Sequence, residues 1–122
     1  MPNSSKRTKA EHFGRKGEFW AKIFLSLKGF RVIDQRFRAR GGEIDLIAKR
    51  GEMLVFVEVK ARRKQEHLGE AFEAVRKDRI ISAAQYWLSQ NPQYQTRTIR
   101  FDVIGLAPLF WPVHIVDAFQ TN

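Results

Sequence analysis

The chain has 122 residues, and its 22 Lys and Arg residues outnumber 13 acidic residues, which gives a formal net charge of +9. The length predicts one domain with a sizeable core, while the absence of cysteine excludes disulfides and thiolate metal sites. No stretch approaches the roughly 20 apolar residues of a membrane-spanning helix, and the excess of positive charge is typical of a protein whose partner is rich in phosphate.

Residues 1–10 are polar and basic, with Lys6, Arg7 and Lys9 among serine and threonine. We expect a flexible basic arm here, followed by a single domain over residues 11–122. A solvated tail is the simpler interpretation, and contact with a nucleic-acid backbone is the alternative. The arm lacks the apolar segment of a secretory signal, which together with the missing cysteines favours the reducing cytoplasm.

A first helix is predicted over residues 11–28 by the spacing of its apolar side chains, and Gly29 is a suitable stop. Glu18 lies at the margin of the apolar arc, where an acid is ordinarily a surface residue. However, Gly14 and Gly17 would let this helix approach another element closely. That close approach favours a Glu18 that faces the strands following the helix.

Residues 30–37 predict a first strand, after which Arg36, Arg38 and Arg40 lead into a Gly-Gly pair. Three arginines at alternating positions beside two glycines suit an edge that contacts phosphate. The alternative is a charged edge strand whose arginines prevent aggregation.

Residues 41–63 predict a β-hairpin, because both arms alternate like strands. The turn fixes which residues face each other. Glycine at the first central position suits a type II′ turn, so we assign Gly51 and Glu52 to the turn, which pairs Arg50 with Met53. The first arm is expected to direct two sets of side chains to opposite faces, namely Ile44, Leu46 and Ala48 against Glu43, Asp45 and Ile47.

Along the same ladder, Asp45 falls opposite Glu58, and Glu43 falls opposite Lys60. Like charges in direct opposition destabilise a sheet, so two half-buried carboxylates need a shared proton or a cation between them. A hard divalent cation such as Mg²⁺ takes carboxylate oxygens together with substrate phosphate. The alternative is that Glu58 and Lys60 lie at the solvated end of the strand and that Asp45 caps another group. The pattern alone favours neither interpretation.

After the hairpin, a basic loop containing Arg62 and Arg63 adjoins this acid pair. A second helix is predicted over residues 69–90, ended by an Asn-Pro pair. Basic residues in its first half lie either over the sheet near the acids or in water; these are Arg76, Lys77 and Arg79.

Two final strands are predicted over residues 97–106 and 112–119, and Asp102 in the first of them is assigned a structural role. The resulting order is α-β-β-β-α-β-β. It predicts an α/β domain in which a mixed central sheet is flanked by a helix on each face.

An acid on the first helix, an aspartate on a middle strand and Glu-x-Lys on the next strand form the pattern of the PD-(D/E)xK nucleases. Here these residues are Glu18, Asp45 and the segment 58–60, with Ile44 in place of the proline in the motif's name. The spacing from Asp45 to Glu58 resembles that of archaeal Holliday-junction resolvases. The chain is more similar still to the bacterial YraN family of resolvase-like proteins, over nearly everything after residue 11. The matching stretches read GRKGE at 14–18, GEIDLI at 42–47, VEVKAR at 57–62 and RFDV at 100–103.

The resemblance implies a restriction-endonuclease-like αβββαβ core and a metal-dependent endonuclease that cleaves DNA, branched DNA included. It implies that Asp45, Glu58 and the main-chain carbonyl of Val59 bind Mg²⁺ or Mn²⁺. Glu18 would bind a second metal ion or position a water, and Lys60 would orient the attacking water. No organic cofactor and no membrane are expected.

By the same resemblance, basic residues around the site would hold the DNA backbone without recognising its sequence. These are Arg38, Arg40, Arg62, Arg63 and Lys77. A homodimer is a candidate assembly, because a four-way junction presents two equivalent cuts. The alternative function is a nucleic-acid-binding module that keeps the nuclease fold without the catalysis.

Overall fold

The computed structural model describes residues 4–121, with side chains from Arg15 onward. Eight helices and strands follow one another along this part of the chain. They are α1 (Ser4–Leu27), β1 (Arg31–Ala39), β2 (Gly42–Arg50), β3 (Met53–Ala61), α2 (Leu68–Glu73), α3 (Lys77–Gln90), β4 (Thr98–Leu106) and β5 (Val113–Phe119).

The five strands form one sheet in the order β1-β2-β3-β4-β5. Neighbouring strands are antiparallel except for β3 and β4, which are parallel because α2 and α3 carry the chain back across one face of the sheet. Helix α1 covers the other face. The α/β class and the mixed sheet are therefore confirmed, and the arrangement is consistent with a restriction-endonuclease-like core. None of the helices within residues 4–121 is long and apolar enough to cross a membrane.

Two apolar layers hold the helices on the sheet. On the α1 face, Ala21 and Leu25 pack against buried residues of β2 and β3. On the opposite face, Ile80 and Trp87 of α3 pack around Phe56 of β3. A strand buried on both faces explains why the sequence of β3 is almost continuously apolar.

The hairpin turn between β2 and β3 has the predicted register. Arg50 pairs with Met53, and Gly51 takes a φ of +58°, which a residue with a Cβ rarely adopts. The register of the whole hairpin follows from this one glycine.

The first helix begins at Ser4 in the structure rather than at residue 11, and it ends at Leu27 before Gly29, whose φ is +88°. Residues 4–10, which we assigned to a flexible arm, thus form the first turns of α1, and residues 1–3 lie outside the described part of the chain. The division of the chain into a basic arm and a single domain stays a prediction.

The helix predicted over residues 69–90 is divided into α2 and α3 by residues 74–76. Val75 is buried at the break. Helix α2 lies over β3 and β4, whereas α3 lies over β1 and β2. The interruption changes the helix direction, so that α2 and α3 pack on different pairs of strands. The basic N-terminal end of α3 therefore lies above β2.

Candidate active site

The hairpin opens at Asp45. Pairing between β2 and β3 runs from Arg50–Met53 as far as Leu46–Val57. If the ladder continued, the Val59 N–H would bond to the main-chain carbonyl of Ile44. Instead it donates to the Asp45 Oδ2 at 2.7 Å. The Asp45 carboxylate therefore occupies the gap between the strands. The Val59 carbonyl points toward the same gap, since the N–H and C=O of one strand residue face the same neighbour.

Side-chain alternation along β2 also changes at Asp45. Gly42 and Ile44 face α3, whereas Leu46 and Ala48 face α1. The expectation that Ile44 and Leu46 share a face was therefore wrong. Across from Asp45, β1 carries Arg36 at a φ of +50°, a left-handed conformation that a non-glycine residue adopts only when its surroundings hold it there. This local twist directs the Asp45 side chain into the sheet plane.

Asp45 and Glu58 are brought together as a hydrogen-bonded pair of half-buried carboxyl groups. Burial raises the pKa of Glu58, and the neighbouring Asp45 carboxylate raises it further, to about 8. Burial also raises the pKa of Asp45, although the hydrogen bonds from Glu58 and from the Val59 N–H act in the opposite direction. At neutral pH the pair therefore holds one proton, which the two carboxyl groups share.

Lys60 and Glu43 differ from the expected pairing. The Lys60 Nζ lies 3.8 Å from the Glu58 Oε1, so the lysine joins the acid pair from its own strand. Glu43 pairs instead with Arg38 of β1, at 3.6 Å. The ladder does not extend to a Glu43–Lys60 pair because the strands have already separated at Asp45.

Glu18 approaches the gap from α1, as the glycines of this helix suggested. Gly17 lies so close to Ala61 that an added Cβ would stand 2.9 Å from the alanine Cβ. The Glu18 Oε2 accepts a hydrogen bond from the Arg36 Nε at 2.7 Å, and the negative charge of Glu18 contributes to the raised pKa of Asp45. Glu18 therefore holds Arg36 next to the acid pair.

The donor set fits a hard divalent cation with few protein ligands. Within the described residues, no three His, Cys, Asp or Glu side chains converge into a metal-binding cluster. Two carboxylates that already share a proton, with a main-chain carbonyl at the same gap, match the ligand pattern of Mg²⁺, which completes its shell with water and substrate phosphate. The same set lacks the nitrogen and sulfur ligands that zinc prefers.

Arginines surround the acids on the α3 side. A cavity of about 380 Å³ is lined by Glu58 and Lys60 and by three arginines, namely Arg38, Arg76 and Arg79. Arg79 is fixed there because its main chain packs directly on Gly42, where no Cβ would fit. The cavity is thus a small anionic centre inside a cationic rim.

The other predicted backbone contacts lie further out. Arg40 and Arg63 are exposed near the cavity, and the Arg62 guanidinium donates to the Ala61 carbonyl at 2.8 Å. Lys77 lines a separate shallow depression at the start of α3 rather than the cavity. Our list of candidate DNA contacts omitted Arg36, Arg76 and Arg79. In the sequence, the alternation of Arg36 with Arg38 and the basic cluster at residues 76–79 pointed to them.

Comparison with known proteins places these residues in a shared segment. The model of a family described as "Uncharacterised protein family UPF0102" matches residues 17–106, which include all four candidate catalytic residues. A protein of this family from Mesorhizobium japonicum is 48% identical over 119 residues, which cover 95% of this chain and 93% of the relative. Relatives from Chelativorans sp. and Agrobacterium fabrum are 44% and 42% identical over 119 residues, covering 95% of this chain and 94% and 95% of their own lengths.

Proposed function

The chain belongs to the UPF0102 family, and from its site we propose that it is a metal-dependent endonuclease that hydrolyses phosphodiester bonds in DNA, including branched DNA. One observation carries the proposal. The Asp45–Glu58 pair, which shares a proton at the opening of the hairpin, has Lys60 beside it and arginines around it. A purely structural site would not require two adjacent carboxyl groups, because their charges repel each other unless the pair shares a proton or binds a cation.

Asp45, Glu58 and the carbonyl of Val59 would hold Mg²⁺ or Mn²⁺. When bound, the ion lowers the pKa of a coordinated water and neutralises charge on the scissile phosphate. The two carboxyl groups supply this site only after the Glu58 proton has left. The protein therefore exchanges a proton for a cation at the same place.

Lys60 would act on the attacking water and on the phosphate. Its ammonium group is held 3.8 Å from Glu58 on the same strand face, so it faces the position that the ion and the phosphate share. A fixed cation there orients the water by hydrogen bonding and stabilises the extra negative charge of the transition state. Glu18 would contribute through its ion pair with Arg36, which holds the guanidinium beside the acid pair, where it could bind phosphate.

The arginine rim would hold the DNA backbone. Arg38, Arg76 and Arg79 enclose the cavity, and the planar guanidinium group can bond to two phosphate oxygens at once. Contacts of this kind position a duplex without recognising its sequence. The enzyme would then select its substrate by shape, as a nuclease for branched DNA requires.

The direct test is a cleavage assay with Mg²⁺ or Mn²⁺ on a panel of labelled substrates, namely duplex, flap, single strand, four-way junction and RNA. We expect cleavage of DNA that depends on the ion and is lost in EDTA. If neither ion supports cleavage of any substrate while DNA still binds, the chain is a non-catalytic nucleic-acid-binding module. If DNA does not bind at all, both functions are excluded.

The rim predicts salt-dependent DNA binding. The log–log slope of affinity against salt should be near −0.9 for each phosphate neutralised on duplex DNA. Arg38 is 79% exposed at the cavity wall, so Arg38→Glu should weaken binding to all sequences alike and make the slope smaller by about one or more. Arg31→Glu, at the far end of the same strand, makes the same change in net charge and is the control. Equal effects of the two variants would show that only net charge matters.

The raised pKa of Glu58 predicts a pH-dependent response to metal. Its folded pKa of about 8 lies above the ordinary value of 4.5, so the unfolded chain loses this proton first and stability falls as the pH rises between those values. Without metal, the melting temperature of the wild type should fall over this window more than that of Glu58→Gln. Mg²⁺ should flatten the wild-type curve within this window, because the ion would take the place of the proton. Thermal melts from pH 5 to 9 in EDTA and in Mg²⁺ measure it, and parallel curves for the two proteins would contradict the shared proton.

A further inference from the structure

A groove on the α1 side of the sheet is lined by four aromatic rings, three of which are exposed. It lies between α1 and the loop joining β4 to β5 and has a volume of about 770 Å³. Trp111 of the loop is 84% exposed and Trp20 of α1 is 56% exposed. We call this feature the aromatic groove, defined by Trp20, Phe24, Phe110 and Trp111. So many exposed rings in one concave surface indicate a binding site.

Two charged side chains line the aromatic groove within the part of the chain whose side chains are described, and both are cationic, namely Lys16 and Lys28. Lys28 is held in position, because its Nζ donates to the His114 Nδ1 at 2.7 Å and stands 4.6 Å from the centre of the Phe24 ring. The His114 Nε2 in turn bonds to the buried Asp102 at 2.7 Å. A positive charge is therefore fixed on the wall of the groove beside an aromatic face.

The aromatic groove ends beside the candidate active site. Gly17 and Ala61 line its inner end, and Gly17 directly precedes Glu18 on α1. Ala61 follows Glu58 by three residues along β3, which corresponds to a distance of about 10 Å. The arginine cavity lies on the opposite face of the sheet, so a strand bound there would pass around the end of β3 to reach the groove.

We propose that the aromatic groove binds the unpaired bases of a single-stranded segment next to the cleavage site. Bases would stack on Trp111 and Trp20, while Lys16 and Lys28 would contact the phosphates. Aromatic rings combined with cations are the pattern by which proteins bind single strands, because every base has a face that can stack. The inference rests on the proposed function in one respect, namely that the chain handles nucleic acid, and it narrows the substrate class to DNA with a splayed or single-stranded part.

A second copy of the chain is a poorer occupant. Two copies that met through this surface would bring Lys16 and Lys28 of both together, on molecules with a net charge of +9 each. Among the residues whose side chains are described, from Arg15 onward, no acidic residue lines the groove to pair with these lysines. The same charge favours a polyanion.

The test uses tryptophan fluorescence with two oligonucleotides in EDTA, so that it does not depend on cleavage. One is a deoxythymidine oligomer, and the other has the same length and charge but lacks bases. Trp87 is buried at 3% exposure, so quenching reports on Trp20 and Trp111. We expect the base-containing strand to quench the fluorescence and to bind at least about fivefold and up to about a hundredfold more tightly than the abasic strand.

Substitution of single rings makes the test specific. Trp111→Leu keeps an apolar side chain but removes the stacking surface, so it should lose most of the preference for bases and leave affinity for the abasic strand unchanged. Tyr86→Leu removes a half-exposed ring on α3, outside the groove, and should change neither affinity. The rescue variant Trp111→Phe should restore part of the preference, whereas a merely structural effect would lower both affinities together.

Four results would overturn the inference. Equal affinity of the wild type for both strands would leave the nucleic-acid part of the proposed function standing and reject the groove as a base-binding site. An equal loss for both strands in Trp111→Leu would reject stacking. A shift from dimer to monomer in Trp111→Leu by sedimentation, with unchanged binding, would assign the groove to a protein interface. Absence of any binding by the wild type would reject the groove and the nucleic-acid function together.

Discussion

Asp45→Asn should abolish both the stabilisation by Mg²⁺ and the cleavage of DNA, yet leave the metal-free protein as stable as the wild type or more so. The asparagine amide can still accept the Val59 N–H with its oxygen and donate to Glu58 with its nitrogen, so the hydrogen bonds at the gap survive. The substitution removes the negative charge of Asp45, which adds to the effect of burial in raising the pKa of Glu58. The cation site loses one of its two carboxylates.

The measurement is the melting temperature as a function of Mg²⁺ concentration. For the wild type, an ion present at a hundred times its dissociation constant adds about 2.7 kcal/mol to the free energy of unfolding. Asp45→Asn should show no such rise, and its cleavage rate should fall by about a thousandfold or more, since a bound ion supplies several kcal/mol of transition-state stabilisation. In EDTA the variant should bind DNA at least as well as the wild type, because a charge that repels phosphate has gone.

Lys60→Ala is the matched comparison. It leaves the carboxyl groups of Asp45 and Glu58 in place, so the response to Mg²⁺ should persist, while cleavage falls by about a hundredfold or more and DNA binding weakens slightly. If Asp45→Asn instead lowers the stability of the metal-free protein and the wild type does not respond to metal, the acids are structural. The non-catalytic binding module would then be the better assignment.

Most of the hairpin around this site could be predicted from the sequence, because its turn and register depend on residues close together in the chain. Glycine at position 51 sets the hairpin turn, and the turn sets the register that brings Asp45 and Glu58 to neighbouring positions. The gap into which Asp45 points could not be predicted in this way. It depends on a twist of β2 and on Arg36 at positive φ, and neither interrupts the alternation of polar and apolar residues in the sequence.

The basic side chains around the acids were harder to place for a different reason. Whether Arg76, Lys77 or Arg79 reaches the cavity depends on where α3 begins, and no glycine or proline marks the break after α2. The break arises from tertiary packing, in which Val75 enters the core. A continuous helix would have rotated these residues differently. The sequence therefore favoured Lys77, whereas in the structure Arg76 and Arg79 line the cavity.

Asp102 was correctly given a structural role, but the sequence did not indicate how much of the fold depends on it. The Asp102 side chain is 0% exposed. It accepts two hydrogen bonds from Arg100 at 2.8 Å, one from the Asp117 N–H at 2.9 Å, and one from His114 at 2.7 Å. The partners on β5 lie 12 and 15 residues further along the chain, beyond the range of local sequence patterns.

Asp102→Ala should therefore lower the free energy of unfolding by about 3–5 kcal/mol, because it leaves the largely buried Arg100 guanidinium without its counter-ion and releases the main chain of β5 at Asp117. Glu66→Ala removes an exposed acid and, as a control, should change stability by no more than about 0.5 kcal/mol. Urea denaturation at neutral pH measures both. A loss below about 1 kcal/mol for Asp102→Ala would show that the network does not stabilise the fold.

Acid titration of the same network separates the charge of Asp102 from its packing. Burial raises the pKa of this carboxyl, but the hydrogen bonds from His114 and Arg100 and from the Asp117 N–H outweigh it, so the pKa lies below its ordinary value of 3.8. A lowered folded pKa means that the stabilisation is complete above 3.8 and is lost as the pH falls from there through the folded pKa. The stability advantage of the wild type over Asp102→Asn, an isosteric variant that cannot ionise, should stay constant from pH 7 to about pH 5. This stability advantage should become smaller below pH 3.8. If the advantage does not change with pH down to the acid transition, shape and hydrogen bonding hold β5 on the sheet, and the charge of Asp102 does not.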